Sequence, residues 1–422
     1  MLKGLLCLLI FVPLLRATPE SLLGLPQEAR HYLPRHTLPV PSKVKLKKSY
    51  LEQWYAPWTG MQVMDNLDEV FWMQDTLHQV GYDKDLQPYS LDKLQEISND
   101  LDMPDYPSVR LRAIVIADAN VRAVPTDAPY YFKDGQPFDR WQNSLIFAGT
   151  PVLITHYNKA KTYAHIQSSF VFGWVRLDKL AAISSEQVQT FLHFKHYLTP
   201  TKDKIPLDNG SVAHMGEIFI KVPHRIRQIY TYAKDSKGFV KLVPTRLNSP
   251  SFASFPRPLT TQGMAKVIDT MLGQPYGWGG AGQNRDCSAF TRDSFASFGI
   301  LLPRNSLAQV RYAHNMVDLS HLPPRQKEAY IIKHATPFAT ILWLKGHIML
   351  YLGAQHHRAI VAHNVWSVLV SKNNSYNIGK TAITTLDIGY KHAKHPPAFS
   401  LLARVLGMSD LYRYASKLPG GF

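Results

Sequence analysis

The chain has 422 residues, of which 45% are hydrophobic. That is too long for one ordinary core, so roughly two to four domains are expected. The formal charge of +16 draws the chain toward anionic surfaces. No zinc-finger spacing, RNP-like motif or concentrated basic helix accompanies that charge, so nucleic acid is not an expected partner.

Residues 1–17 read as a secretory signal, with Lys3, an apolar run over 5–15 and the small residue Ala17. The run is too short to span a bilayer, so no stable membrane insertion is expected once it is cleaved. The expected location is outside the cytoplasm, periplasmic or secreted. Cys7 lies within the run, and Gly4-Leu5-Leu6 before it is a poor lipoprotein box. Cleavage leaves Cys287 as the sole cysteine, without a partner for an internal disulfide. It also removes Lys3 and Arg16, leaving 45 basic and 31 acidic residues, or +14.

Residues 18–107 form a first unit. Pro34, Pro39 and Pro41 suggest an extended arm, and 51–101 shows helical patterns broken by Pro57 and Gly81. Residues 108–183 read as all-β, with strand-like runs at 111–116, 151–157 and 163–167. Turns are expected at Asn120, Pro125, Asp134-Gly135 and Gly149. A helical connector over 186–195 leads to a second β-unit at 196–255, whose clearest feature is a hairpin, 228–234 against 239–243. From 256 to 422 the pattern is mixed. An amphipathic helix over 260–272 carries Met264, Val267, Ile268, Met271 and Leu272 on one face, and Gly273 caps it. A second helix follows over 288–298, then strands at 339–344, 347–352 and 359–366. The C-terminal unit is therefore α+β, as a papain-like core would be.

Cys287 sits where a loop containing Gly277, Gly279, Gly280 and Gly282 turns into a helix. A thiol in the first helical turn faces free backbone N–H groups and the positive end of the dipole, which favours thiolate. A cysteine nucleophile needs a base and a group that orients it. Among 18 histidines, His347 and His363 stand out by strand position. If the two strands form a hairpin turning around Gln355, these residues are directly opposite on one face, and Asn364 points to the other. His356-His357 with His363 lacks the further ligands a metal site needs and reads better as a turn, so no metal or cofactor is expected.

Pro275-Tyr276-Gly277-Trp278-Gly279-Gly280 followed by Asp286-Cys287-Ser288 resembles the NlpC/P60 family of cell-wall cysteine peptidases. Ala289 departs from the glycine many members carry there. Trp54-Tyr55-Ala56-Pro57-Trp58, 121–126 and 139–142 are similar to the clip and first SH3 domain of an exported subgroup. The resemblance implies a small N-terminal helical clip, two SH3-like β-barrels and a C-terminal papain-like peptidase domain. It implies Cys287 as nucleophile, His347 as base and His363 as the third member. The Tyr276 hydroxyl would serve the oxyanion, and Asp286 and Ser288 would bind the free amine of an N-terminal L-alanine. Arg304, Asn305 and Ser306 are candidates to line the same cleft, with Arg304 equally suited to an ion pair. The implied reaction is cleavage of the γ-D-glutamyl–diamino acid bond in peptidoglycan stem peptides. A non-catalytic wall-binding protein, or a thiol acyltransferase or amidase on the same core, are the competing readings.

Overall fold

The computed structural model describes residues 24–132, 137–372, 374–388 and 396–419; the expected export signal and the Asp134-Gly135 turn lie outside them. Helix α1 (Lys43–Trp54) starts earlier than the pattern suggested, because Ser42 Oγ accepts from the Lys45 amide and caps it. The aromatic cluster that follows is a joint. Tyr55 and Trp58 are buried with Ile114, Phe191 and Tyr197, and Trp58 Nε1 donates to the Ala113 carbonyl at 2.7 Å. Helix α2 (Leu91–Asp100) buries Leu94 and Ile97 against Val70, Phe71, Trp141 and Trp174. The N-terminal segment thus shares its core with the β-unit after it.

That unit contains β1 (Leu111–Val115), β2 (Ala119–Arg122), β3 (Gln142–Ile146), β4 (Pro151–Tyr157), β5 (Tyr163–Gln167), β6 (Phe172–Arg176) and β7 (Leu180–Ala182). They form one sheet in the order β3-β2-β6-β5-β4-β1-β7. Strands β3 and β7 end the sheet, so the expected barrel is not closed. Helix α3 (Ser185–His193), started by a Ser184/Gln187 capping box, is the expected connector.

The second β-unit holds β8 (Tyr197–Pro200), β9 (Ile205–Pro206), β10 (Val212–Ala213), β11 (Phe219–Ile220), β12 (Gln228–Lys234), β13 (Val240–Arg246) and β14 (Phe252–Ser254). The β12–β13 hairpin is as expected, pairing Gln228 with Arg246 through Lys234 with Val240. The rest forms two further small sheets, β9 with β10 and β8 between β11 and β14, so the expected second SH3-like barrel is not present as one sheet. Pro200, Pro206, Gly210 and Gly216 interrupt the chain every few residues and keep these strands short.

The C-terminal unit begins with α4 (Thr261–Met271), α5 (Cys287–Ala296) and α6 (Ser306–Tyr312). After β15 (Val317–Asp318) and α7 (Pro324–His334) come β16 (Thr340–Leu344), β17 (His347–Gln355), β18 (Arg358–Ser371), β19 (Asn374–Thr385), β20 (Gly407–Asp410) and α8 (Leu411–Lys417). The sheet order is β15-β20-β16-β17-β18-β19. Met264, Ile268, Phe290 and Phe295 of α4 and α5 pack with Ile348 and Leu350. Ile331 of α7 packs with Met349, Tyr351 and Val361 on the other side. Alternate residues of β17 therefore feed two cores, as a sheet covered on both faces requires. No helix among the described residues is long and apolar enough to cross a membrane.

Candidate active site

Cys287 is the first residue of α5, a helix whose ten residues are all buried. Asp286 caps it, Oδ1 accepting from the Ala289 amide at 2.9 Å. The preceding loop is shaped by contact with β3. Gly279 and Gly280 have φ of 57° and 85°, and a Cβ at either would come within 2.5 Å of Gln142 O or Leu145 Cβ. Gln142 Nε2 donates to Gly279 O at 2.9 Å. The loop glycines are thus an interdomain fit as well as a turn.

His347 opens β17, and its Nε2 lies 2.7 Å from His363 Nδ1. On its far side His363 Nε2 meets Thr384 Oγ1 at 3.0 Å, and the ring is fully buried. The expected directly opposed pairing is corrected. The turn is His356-His357, both at positive φ, closed by Gln355 opposite Arg358. From that closure alone His363 would stand opposite Leu350, with the two histidines on different faces. A β-bulge between Tyr351 and Gly353 shifts the register so that Leu350 pairs with Ala362. Continued, this sets His363 opposite Met349, diagonal to His347 and on the same face. Asn364 Nδ2 donates to Thr381 Oγ1 at 2.9 Å, away from the pair.

The electrostatics reverse one expectation. Burial, then Asp286, pushes the Cys287 thiol up to about 12, against the opposing pull of the Ile348 and Ser288 amides and Arg304. Only 8% of Cys287 is exposed, and loss of water outweighs the helix terminus. Burial, then Arg404, pushes His347 down to about 4, with Asp286 opposing. Burial and the neighbouring His347 hold His363 well below the ordinary imidazole range. Burial thus favours the neutral thiol at Cys287 and the neutral imidazole at His347 and His363.

Asp286 is also committed differently. Its carboxylate accepts from Gly279 N at 3.1 Å and Ser288 Oγ at 3.2 Å, in addition to Ala289 N, and pairs with Arg304 Nη2. Arg304 also donates to Ser288 Oγ at 2.6 Å and, across the domain boundary, to Ser144 Oγ at 2.9 Å. The carboxylate and hydroxyl expected to meet a substrate ammonium are thus already engaged by a cation. Arg304 makes the ion pair with Asp286 and also lines the cavity that holds Cys287. Ser306 Oγ accepts from Trp343 Nε1 at 3.3 Å. Tyr276 is largely buried; burial, Cys287 and Asp286 hold its ionisation above the ordinary phenol range, so its hydroxyl stays protonated.

A cavity of about 470 Å³ brings together Tyr276, Asp286, Cys287, Ser288, Arg304, Asn305 and Ser306 with Gly346, the residue before His347. Its other walls were not legible as site residues. Arg140, Gln142, Asn143 and Phe172 come from the first β-unit, and Glu69 and Trp72 from the N-terminal segment. Arg140 lies over Trp278 at 5.3 Å, and Trp278 stacks on Phe138 at 4.9 Å. Adjacent aromatic and basic residues at 138–141 were the available signal, but only the fold brings Arg140 of this group into the cavity with Cys287. Among the described residues no group of three or more His, Cys, Asp or Glu is arranged to hold a metal ion.

Residues 273–374 match the NlpC/P60 family, 11–106 the N-terminal NLPC_P60 stabilising domain, and 127–176 an SH3 domain of the SH3b1 type. The SH3 match covers the first β-unit alone. A solved NlpC/P60 endopeptidase from Photobacterium damselae subsp. piscicida is 25% identical with a TM-score of 0.81, over 92% of this chain and 97% of that one. An NlpC/P60 family protein from Bacillus cereus is 14% identical with a TM-score of 0.45, over 73% of this chain and 100% of that one. "Probable endopeptidase Cgl2188" of Corynebacterium glutamicum is 36% identical over 64 residues, 15% of this chain. The match spans 31% of that relative's length.

Proposed function

Because this chain is a member of the NlpC/P60 family, we propose that it is an exported cysteine endopeptidase cleaving the γ-D-glutamyl–diamino acid bond of peptidoglycan stem peptides. The observation that carries this reading is the chain of contacts from His347 Nε2 to His363 Nδ1 at 2.7 Å and from His363 Nε2 to Thr384 Oγ1 at 3.0 Å. With Thr384 accepting from His363 Nε2–H and His363 Nδ1 accepting from His347 Nε2–H, the lone pair of His347 Nδ1 is free to act as base.

Cys287 Sγ attacks the γ-carbonyl carbon as its proton passes to His347. The oxyanion is met by the Cys287 backbone N–H and the Tyr276 hydroxyl. The imidazolium then protonates the leaving amine of the diamino acid, the C–N bond breaks, and a thioester remains. Water, deprotonated by His347, attacks the thioester, and the departing sulfur takes back a proton. Because thiol and imidazole are both neutral at rest, proton transfer accompanies attack rather than preceding it.

Mass spectrometry of purified muropeptides incubated with the protein tests the reading. The expected result is a new free amine on the diamino acid and a free γ-carboxyl on D-glutamate. Cys287→Ala should abolish both while retaining the wild-type circular dichroism spectrum. Product formation at the wild-type rate by Cys287→Ala would sink the peptidase reading, and transfer of the acyl group to an added amine would point to an acyltransferase.

A further inference from the structure

We propose that Trp72 and Glu69 form a sugar-binding subsite at one end of the cleft, so that the chain acts on stems still attached to their amino sugar. This rests on the peptidase reading above. Among the described residues, the cleft lacks a free buried carboxylate. Selecting a free L-alanine amine needs an uncompensated carboxylate in a closed, dry pocket. The buried carboxylate here, Asp286, is paired with Arg304 and also accepts from Gly279, Ser288 and Ala289. An ammonium placed there would meet the guanidinium as well as the carboxylate.

Glu69 and Trp72 line the same cavity as Cys287. They bracket Val70 and Phe71, which are each only 1% exposed, whereas Trp72 is 41% exposed. Asn66 caps the short helix Leu67–Val70, whose end sets Glu69 and Trp72 three residues apart. Phe71 packs edge-on to Tyr106 at 5.4 Å, and Gln167 Oε1 accepts from the Met64 amide at 3.0 Å, so the segment is held in place. A partly exposed indole held open to the cavity presents a flat apolar face for the C–H side of a pyranose ring. Glu69 offers an acceptor for its hydroxyls. As a partner for an ammonium Glu69 is poorly placed, because a solvent-exposed ion pair contributes little.

The experiment compares kcat/KM for three substrates with the same tripeptide: free-amine, N-acetylated, and carrying N-acetylmuramic acid. The sugar-bearing peptide should be preferred over the free-amine peptide by roughly tenfold, the scale of one aromatic contact. Trp72→Ala should remove that advantage, lowering kcat/KM for the sugar-bearing peptide by roughly tenfold more than for the N-acetylated one, and Trp72→Phe should keep most of it. A preference for the free amine, loss of free-amine cleavage in Glu69→Gln, or an equal fall on all three substrates in Trp72→Ala would each overturn the proposal. If wild type cleaves none of them, the peptidase reading fails, and calorimetry on Cys287→Ala still decides the subsite. Tighter binding of the sugar-bearing peptide, lost on adding Trp72→Ala, supports it; equal affinities overturn it.

Discussion

His347 and His363 differ in what each loses on truncation. In the proposed mechanism, loss of His347 leaves no group to take the thiol proton, whereas loss of His363 leaves the base without the partner that holds its tautomer and orientation. His347→Ala is expected to lower kcat by at least ~10³-fold, and His363→Ala by about ten- to hundredfold less than that, following the behaviour of base and orienting residues in related triads. Single-turnover kinetics on the two variants measures the gap, and an equal loss would show that the pair acts as one unit. The resting protonation makes a second prediction. His347, held down to about 4 by burial, stays an acceptor well below neutral pH, and Cys287, pushed up to about 12, stays a thiol well above it. The kcat/KM profile should be flat through neutral pH, with its acid limb near pH 4, because activity is lost as His347 protonates. An acid limb near the ordinary imidazole value of about 6.5 would mean that the base is solvated.

The β17–β18 hairpin and the glycine loop are the elements that assemble these groups. Alternation along the strands is readable in the sequence, and Gly353 inside β17, at φ 135°, marks where a bulge can form, but not the register it produces. That register decides whether His363 shares a face with His347 or with Leu350. The glycine loop is closed by its neighbour. At position 279 the carbonyl of Gln142 occupies the space of a Cβ, and φ is positive. Gly279→Ala is expected to cost about 1–3 kcal/mol of stability through overpacking and backbone strain. It should also lower kcat, since the loop carries Tyr276 on one side and leads to Cys287 on the other. Thermal melting and turnover on this variant check both; an unchanged melting temperature would mean the loop and β3 can separate freely.

Across the whole molecule, buried charge ties the units together. Arg285, next to Asp286 in sequence, donates from Nη1 and Nη2 to the carboxylate of Asp203 of the second β-unit at 2.7 and 2.9 Å. It also donates from Nε to Asp293 of α5 at 2.7 Å. Asp203 is held far below the usual carboxylate range by that arginine despite its burial. Asp203→Ala leaves the Asp293 contact but strands part of a buried cation, and a loss of about 3–5 kcal/mol is expected. Chemical denaturation measures it. A shift under about 1 kcal/mol, the value typical of exposed pairs, would show that water reaches Arg285. Arg304 does the same work nearer the chemistry, joining Asp286 and Ser288 to Ser144 of the first β-unit. The second β-unit is thus tied to α5 through Arg285 although it is not one SH3-like sheet.

By itself the sequence determined the features that rest on local chemistry. The glycine-rich loop before an Asp-Cys-Ser helix, the apolar faces of α4 and of the strands, the β12–β13 hairpin and the candidacy of Cys287, His347 and His363 are all periodicity, capping and motif. Tertiary structure decided what depends on distance through space. Whether Asp286 is free or paired depends on Arg304, eighteen residues on, and on a serine of another domain. Whether Cys287 rests as thiolate or thiol depends on how completely the surrounding units exclude water, because desolvation of a buried charge exceeds the field of one helix end. Trp72 and Glu69 reach the cleft because the N-terminal segment shares its core with the first β-unit.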